Sequence, residues 1–176
     1  MNSTHSVTLR NQLFIVKELG FSAVLFILGY FGFTFFYPSH SVLAIEVLSG
    51  YYFCLQILPC SLIHCQYLMY NRHTVLTVNP IERIMTIQQD RAVNSFSFDD
   101  IASVRLALNG FLYRGELRGL MASDRYHYAF LQTKEGEKFV ITCLLENDLR
   151  HFFTDLGLEV TRDKVIFNFV LMGRYK

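Results

Sequence analysis

The sequence predicts an α+β membrane protein, with a helical hairpin crossing a bilayer twice and then an antiparallel β domain of about seven strands with a C-terminal covering helix. Three observations predict it. Residues 19–37 and 47–70 hold no charged side chain. From residue 74 onward, short runs alternate apolar and polar residues and are punctuated by turn residues. At 149–156 the apolar spacing switches to that of one amphipathic helix.

The first run, "LGFSAVLFILGYFGFTFFY", and the second, "VLSGYYFCLQILPCSLIHCQYLMY", would extend about 28 and 36 Å as helices, enough to cross a hydrocarbon core about 30 Å thick. Neither carries the polar stripe of a helix that packs on one side only. The end of the first run, "FTFFYPSHS", offers bulky aromatics where a signal peptidase needs small residues, which predicts an uncleaved anchor. Residues 1–18 read as a tail bearing Arg10 and Lys17. The connector "PSHSVLAIE" has no Lys or Arg, and Arg72 and Arg83 follow the second span. Basic residues stay on the cytoplasmic side, so both termini are expected in the cytoplasm of a multi-pass protein of the inner (plasma) membrane. Glu46 is expected at the outer end of the second span, within reach of water.

Inside the hairpin, Gly50, Cys54, Ser61, His64 and Cys65 fall on one arc of the second helix, and Ser22, Gly29 and Gly32 share a side of the first. Gly29, Gly32, Gly50, Cys54 and Ser61 are therefore candidates for close helix packing, against each other or against a second copy. Pro59 predicts a kink that frees the Leu55 carbonyl. His64, flanked by Gln56, is the intramembrane polar candidate. With no acidic partner in either span it makes a poor proton relay, and a neutral imidazole bonded to Ser, Gln or a carbonyl is expected. The cysteines (54, 60, 65, 143) show neither a zinc spacing nor a disulfide framework.

From residue 72 on there are 14 Lys+Arg and 13 Asp+Glu, a net +1, which argues against nucleic acid and against strong general attraction to anionic lipid. The strand candidates are "TVLTV", "RIMTIQQ", "VNSFSF", "SVRLAL", "FLYRGEL", "YHYAFLQT" and "FVITCLL". Asn109-Gly110 reads as a hairpin turn. In the helix at 147–156, Leu149, Phe152, Phe153 and Leu156 form the apolar stripe, Asn147 or Asp148 the cap and Gly157 the stop. This domain covers 72–157 and leaves a C-terminal extension at 158–176, which could add a strand or return to the membrane.

Seven short strands closed by one helix, with the "FSFDDIASVRL" step and the charged turn "KEGEK", resemble the bacterial pleckstrin-homology-like (PH-like) domains, members of which often follow two N-terminal membrane helices. The resemblance implies a PH-like binding fold. It does not carry phosphoinositide chemistry, because the first hairpin, "NPIER", sets Glu82 against Arg83 where lipid-binding members are basic.

No catalytic constellation emerges: H-E-x-x-H, C-x-x-C and G-x-S-x-G are absent, and Asp99-Asp100 reads as a strand end entering a bend. No enzyme activity, metal or cofactor is expected. His127 and His151 are expected at the surface or the edge of the core. The binding candidates lie in "NGFLYRGELRGLMASDR", where Arg114, Arg118 and Arg125 with Phe111 and Leu120 could meet the inner leaflet or a protein. The expectation is a membrane-anchored cytoplasmic binding or scaffold module. It would contact the bilayer surface and a membrane or cytoplasmic protein, or a second copy as a homo-oligomer. The alternative is an accessory or regulatory subunit of a membrane transport complex in which the hairpin is the active part.

Overall fold

The computed structural model describes residues 2–116, 121–166 and 168–170. Strand β1 (Ser3–Ser6) pairs antiparallel with β2 (Thr74–Asn79), Ser3 opposite Val78 and Ser6 opposite Val75. Everything between these partners is helical: α1 (Leu9–Phe36), a 3-10 turn (Pro38–His40), α2 (Ser41–Tyr52), a π-helical turn (Phe53–Ile57) and α3 (Leu58–Asn71). Residues 1–18, expected as a tail, thus contain an edge strand and the foot of α1. "STHS" has no apolar residue and is held by its backbone ladder, so no hydrophobic pattern announces it.

The second helical arm also differs from expectation. It starts at Ser41 rather than 47, shrinking the connector to a tight turn and placing Glu46 inside α2. Pro59 takes the second position of α3, directly after the π turn. A turn widened by one residue, in which the Leu58 N–H donates to the Phe53 carbonyl, accommodates the missing proline donor.

β2, β3 (Ile84–Gln89) and β4 (Ala92–Ser97) continue the first sheet, in the order β1-β2-β3-β4. Asn79 shapes the β2–β3 turn, its Oδ1 accepting from the Ile81 and Glu82 N–H groups. After β4, Ser97 Oγ accepts from the Asp99 N–H and Asp100 Oδ2 from the Ser97 N–H across a 3-10 turn at Phe98–Asp100, so the paired carboxylates do end a strand in a bend. The second sheet has the order β7-β6-β5-β8, built from β5 (Ile101–Leu108), β6 (Tyr128–Thr133), β7 (Lys138–Thr142) and β8 (Val160–Lys164). β8 runs parallel to β5 and comes from the C-terminal extension.

Over its described residues, 111–116, "FLYRGEL" is helix and turn rather than a strand, and Asn109-Gly110 is not a hairpin turn. The Asn109 side chain accepts from the Leu112 N–H at 2.9 Å and starts a single helical turn, α4 (Gly110–Tyr113), whose Leu112 is buried. An Asn that can cap competes with its turn role, and burial of Leu112 decides between them.

The core between the sheets follows the predicted alternation. Leu76, Val78, Met85, Ile87, Phe96 and Phe98 meet Val104, Leu106, Leu108, Leu131 and Ile141. Helix α5 (Leu149–Asp155) closes one opening, with Leu149 and Phe153 buried and Phe152 and Leu156 packed beside them. Asp148 caps it by accepting from the Arg150 and His151 N–H groups, and Gly157 ends it in the left-handed region at φ 71°. Those four side chains contribute on the order of 6–12 kcal/mol before conformational entropy.

A second core lies on the other face of the second sheet. Tyr126, Tyr128, Phe130, Cys143 and Leu144 pack there against Ile15 of α1 and Cys60, Ile63 and Tyr67 of α3. This sheet is therefore buried on both faces, and the helical hairpin supplies one of its covers.

His127 is inside the domain rather than at its surface, at 4% exposure. Its Nδ1–H donates to the Arg125 carbonyl at 2.9 Å, and its Nε2 accepts from the Leu149 N–H at 3.3 Å. Only the neutral ring can do both. Burial lowers its pKa to about 4. His151 is exposed and bonds Asp148.

Two outcomes should follow. Replacing residues 9–71 by a two-residue turn would strip the second sheet of its cover and expose Tyr126, Tyr128 and Phe130. That shortened chain should aggregate or bind an apolar dye, and a monomeric, dye-silent product would contradict the two-core account. Second, the unfolded chain takes up a proton near pH 6.5 while folded His127 resists until about 4, so stability is full above 6.5 and falls as pH drops. Urea unfolding in detergent should lose about 2 kcal/mol between pH 7 and pH 5, a loss absent in His127→Gln.

Candidate functional site at the foot of the helical hairpin

On α1, Asn11, Phe14, Ile15 and Glu18 stand at i, i+3, i+4 and i+7 and so share one face. On α3, Cys60, Ile63, Tyr67 and Asn71, at i, i+3, i+7 and i+11, likewise share one face, all four buried. These faces close over an aromatic cluster on the second sheet. Phe14 meets Tyr126 edge-on with ring centres 5.6 Å apart, and Tyr67 meets Tyr126 at 5.3 Å and Tyr128 at 6.2 Å. Such edge-to-face pairs are each worth about 0.5–1.5 kcal/mol beyond area burial.

Polar side chains tie the helices to the backbone of the domain. Asn11 Nδ2 donates to the Leu144 and Leu145 carbonyls at 3.3 and 3.2 Å. Asn71 acts as a surrogate peptide group on β7, donating to the Val140 carbonyl and accepting from the Thr142 N–H, each at 2.9 Å. Gln66 makes the same two-way pair with Val170, and the Tyr67 hydroxyl donates to the Asn168 carbonyl at 2.8 Å. Gln56 accepts from the Ala122 N–H at 2.8 Å. Glu18 forms an ion pair with Arg125 at 2.8 Å, the guanidinium lying 5.8 Å over the Phe14 ring. His64 Nε2 meets the Gln12 amide oxygen Oε1 at 3.1 Å.

Above this foot the helices change character. The most apolar stretch of Asn11–Phe36 has none of its residues buried, and both it and Pro38–Asn71 are long and apolar enough to cross a membrane. Phe35 and Phe36 are 80% and 74% exposed. Glu18 and Gln56 mark the transition on the two arms. The 3-10 turn Ala122–Arg125, which holds their partners Ala122 and Arg125, sits at the same level.

The binding candidates of the 109–125 loop have partners of their own. Arg114 pairs with Glu116 at 2.6 Å and lies 5.1 Å from the Phe111 ring centre. Arg125 is taken by Glu18. Arg118 and Leu120 lie outside the described residues. The two placed arginines are therefore locally neutralised, which weakens the expected attraction of this loop for phosphate.

The small residues of the hairpin do not form the expected packing seam between its arms. A Cβ at Gly29, Gly32 or Gly50 would meet nothing within 4 Å, and Cys54 and Ser61 are exposed. The arms meet instead through Tyr52, whose ring packs on Phe26 and whose hydroxyl donates to the Leu19 carbonyl at 2.9 Å.

Chemically the foot is inert. Burial pushes the Cys143 thiol up to about 12 and raises the Tyr126 phenol as well, so neither is a nucleophile near neutral pH. Among the described residues no group of three or more His, Cys, Asp or Glu side chains could hold a metal ion. Of the residues that organise the foot, Asn11, Glu18 and Asn71 were not singled out by sequence. Their signal was the polar and aromatic stripe at helical spacing, masked by the apolar composition around it.

Two comparisons with known proteins bear on this architecture. No curated protein matches the chain. The family profile described as PH domain matches residues 4–151, from within β1, through the whole helical hairpin and the strands of both sheets, to the start of α5. PH domains are binding modules for membrane or protein surfaces rather than catalysts, in keeping with a foot that offers contacts and no reactive group. With most of its length inside that match, hairpin included, the chain belongs to the PH domain family.

Proposed function

We propose that the chain is a membrane-anchored binding module, its PH-like domain clamped by a two-helix transmembrane hairpin at the cytoplasmic face of the inner membrane, where it contacts a protein partner or the leaflet surface. The observation that carries this reading is the division of each helical arm: a foot buried in the domain and an upper part whose apolar side chains face outward. The exposed segments are 19–36 and 41–58, each about 27 Å long as helix, close to a hydrocarbon core of about 30 Å. The lower part of the second run, including His64, then lies below the bilayer core. Glu46 is exposed within two turns of the hairpin tip, where its carboxylate can reach the outer headgroups. Basic residues on the domain side and none at Pro38–His40 favour cytoplasmic termini.

The rival, a transport-complex subunit acting through its hairpin, needs polar groups free for a permeant. Gln56 is held by the Ala122 backbone and His64 by Gln12, uses that favour a structural role. A clamped domain also meets a membrane partner at high effective concentration, so a weak surface suffices.

In a background with the exposed Cys54 and Cys65 changed to Ser, an impermeant maleimide should label Ser39→Cys in intact cells and Lys176→Cys only after permeabilisation. Labelling of the latter from outside would overturn the orientation. The clamp itself is read by a double-mutant cycle. Glu18→Gln and Arg125→Gln should show a coupling of about 1–2 kcal/mol in detergent unfolding, tempered by the partial exposure of Arg125. A coupling near zero would show that the ion pair does not hold loop to helix.

A further inference from the structure

Strand β4 ends the first sheet on one side, and among the described residues no strand pairs with its outer edge. The Phe98 N–H donates to the Arg83 carbonyl at 2.8 Å, and the ladder continues with Met85 opposite Phe96, Ile87 opposite Asn94 and Gln89 opposite Ala92. In an antiparallel pair alternate residues bond the partner, so Val93, Ser95 and Ser97 turn their backbone groups outward. The Ser97 N–H follows this rule and donates to Asp100 Oδ2 at 3.0 Å. That bond closes one end of the edge. Among the described residues it leaves the backbone groups of Val93 and Ser95 open, and both residues are exposed. Native sheets blunt such an edge with a proline, a charge or a bulge. β4 reads "AVNSFS" and pairs without a register shift, so it carries none of the three.

Beside this edge is a recess of about 300 Å³, lined by residues 93–96 of β4 and by Asp100, Thr133, Glu135 and Glu137. Phe96 stacks on Phe139 of β7 with ring centres 5.6 Å apart, which puts the turn between β6 and β7 on the inner side of the edge. Asp100, Glu135 and Glu137 are exposed, so their carboxylates can meet a cation from outside. Lys134 and Lys138 adjoin the two glutamates in the chain but are not among the described lining residues. A strand laid along β4 would point alternate side chains to opposite faces. One set would turn in toward the carboxylates, and the other would turn out beside Val93, which is 60% exposed. We propose that β4 takes, as a fifth antiparallel strand, an extended segment of a protein partner in which basic and β-branched apolar residues alternate. Backbone bonds to Val93 and Ser95 would hold the segment, and its basic side chains would meet Asp100, Glu135 and Glu137. This gives the partner chemistry of the binding module described above and rests on that reading.

The probe is a fluorescein-labelled eight-residue peptide alternating lysine and valine. Its binding is read by polarisation with the full-length protein in a neutral detergent, against empty micelles as blank. It should bind about tenfold more tightly than a peptide with the same residues in two blocks, or one alternating glutamate and valine. In antiparallel addition the outward-facing valines stand opposite Val93 and Ser95, so their N–H groups face β4. N-methylation of the valine nitrogens should therefore cost about tenfold, and of the lysine nitrogens less than twofold. Val93→Pro, which removes one outward donor from an edge position, should also cost about tenfold. Glu135→Lys combined with Glu137→Lys should weaken the lysine peptide and strengthen the glutamate peptide about threefold, a gain that misfolding cannot mimic. Equal affinity for alternating and block peptides, equal losses on methylation of the two sets of nitrogens, or unchanged binding to Val93→Pro would overturn the proposal. A chain that stays with membranes yet shows no peptide preference removes this edge alone, whereas one that partitions into the aqueous fraction removes the anchored module on which it rests.

Discussion

The pairing of β1 with β2 is the constraint on which the molecule depends. Neighbouring antiparallel strands lie about 4.8 Å apart and are usually joined by a few residues. Here the join is a helical hairpin running from Leu9 to Asn71, with only Val7-Thr8 and Arg72-His73 between strand and helix on either side. Both feet of the hairpin are thus planted on adjacent strands of one sheet, and their direction is set by that sheet. A hairpin attached by a single flexible linker would be free to swing. This one cannot rotate without breaking the ladder at Ser3–Ser6.

The dependence is mutual. The second sheet carries Tyr128 and Phe130 on the face away from the main core, with Tyr126 just before β6 beside them, and water cannot be left against so much aromatic surface. The feet of α1 and α3 provide the cover, and their own buried stripe needs the sheet in turn. Anchor and domain are therefore one folding unit, in agreement with a family match that does not stop at the hairpin.

Much of this was legible in the sequence because apolar periodicity reports faces. The alternation of Val104, Leu106 and Leu108, the trio Tyr126, Tyr128 and Phe130, and the stripe from Leu149 to Leu156 all reappear as packed faces. The misreadings have physical causes. β1 is a polar edge strand, held by its backbone ladder and by His5 on Glu146, so no apolar alternation announces it. Asn109-Gly110 has two local uses, and burial of Leu112 selected the cap. His127 gave no sign of its interior place because its partners are backbone groups, Arg125 and Leu149, that no side-chain pattern can reveal. The foot was hidden for another reason: in a helix apolar throughout, the boundary between outward-facing and domain-facing residues is marked only by scattered amides.

Those amides have a role that apolar contact could not perform. Greasy helix faces slide against a greasy sheet at little cost, because neither has directional preference. Asn71 bonds the Val140 carbonyl and Thr142 N–H together, Gln66 does the same with Val170, and Asn11 and Gln56 each reach a specific backbone group. Shifting α3 by one turn, about 5.4 Å, would leave several buried donors and acceptors unpaired at about 1–3 kcal/mol each. The register of helix on sheet is thereby fixed to within a fraction of a turn. That register also sets the level at which the turn holding Arg125 sits relative to the outward-facing helical segments, because Glu18 and Gln56 tie the turn to the points where those segments begin.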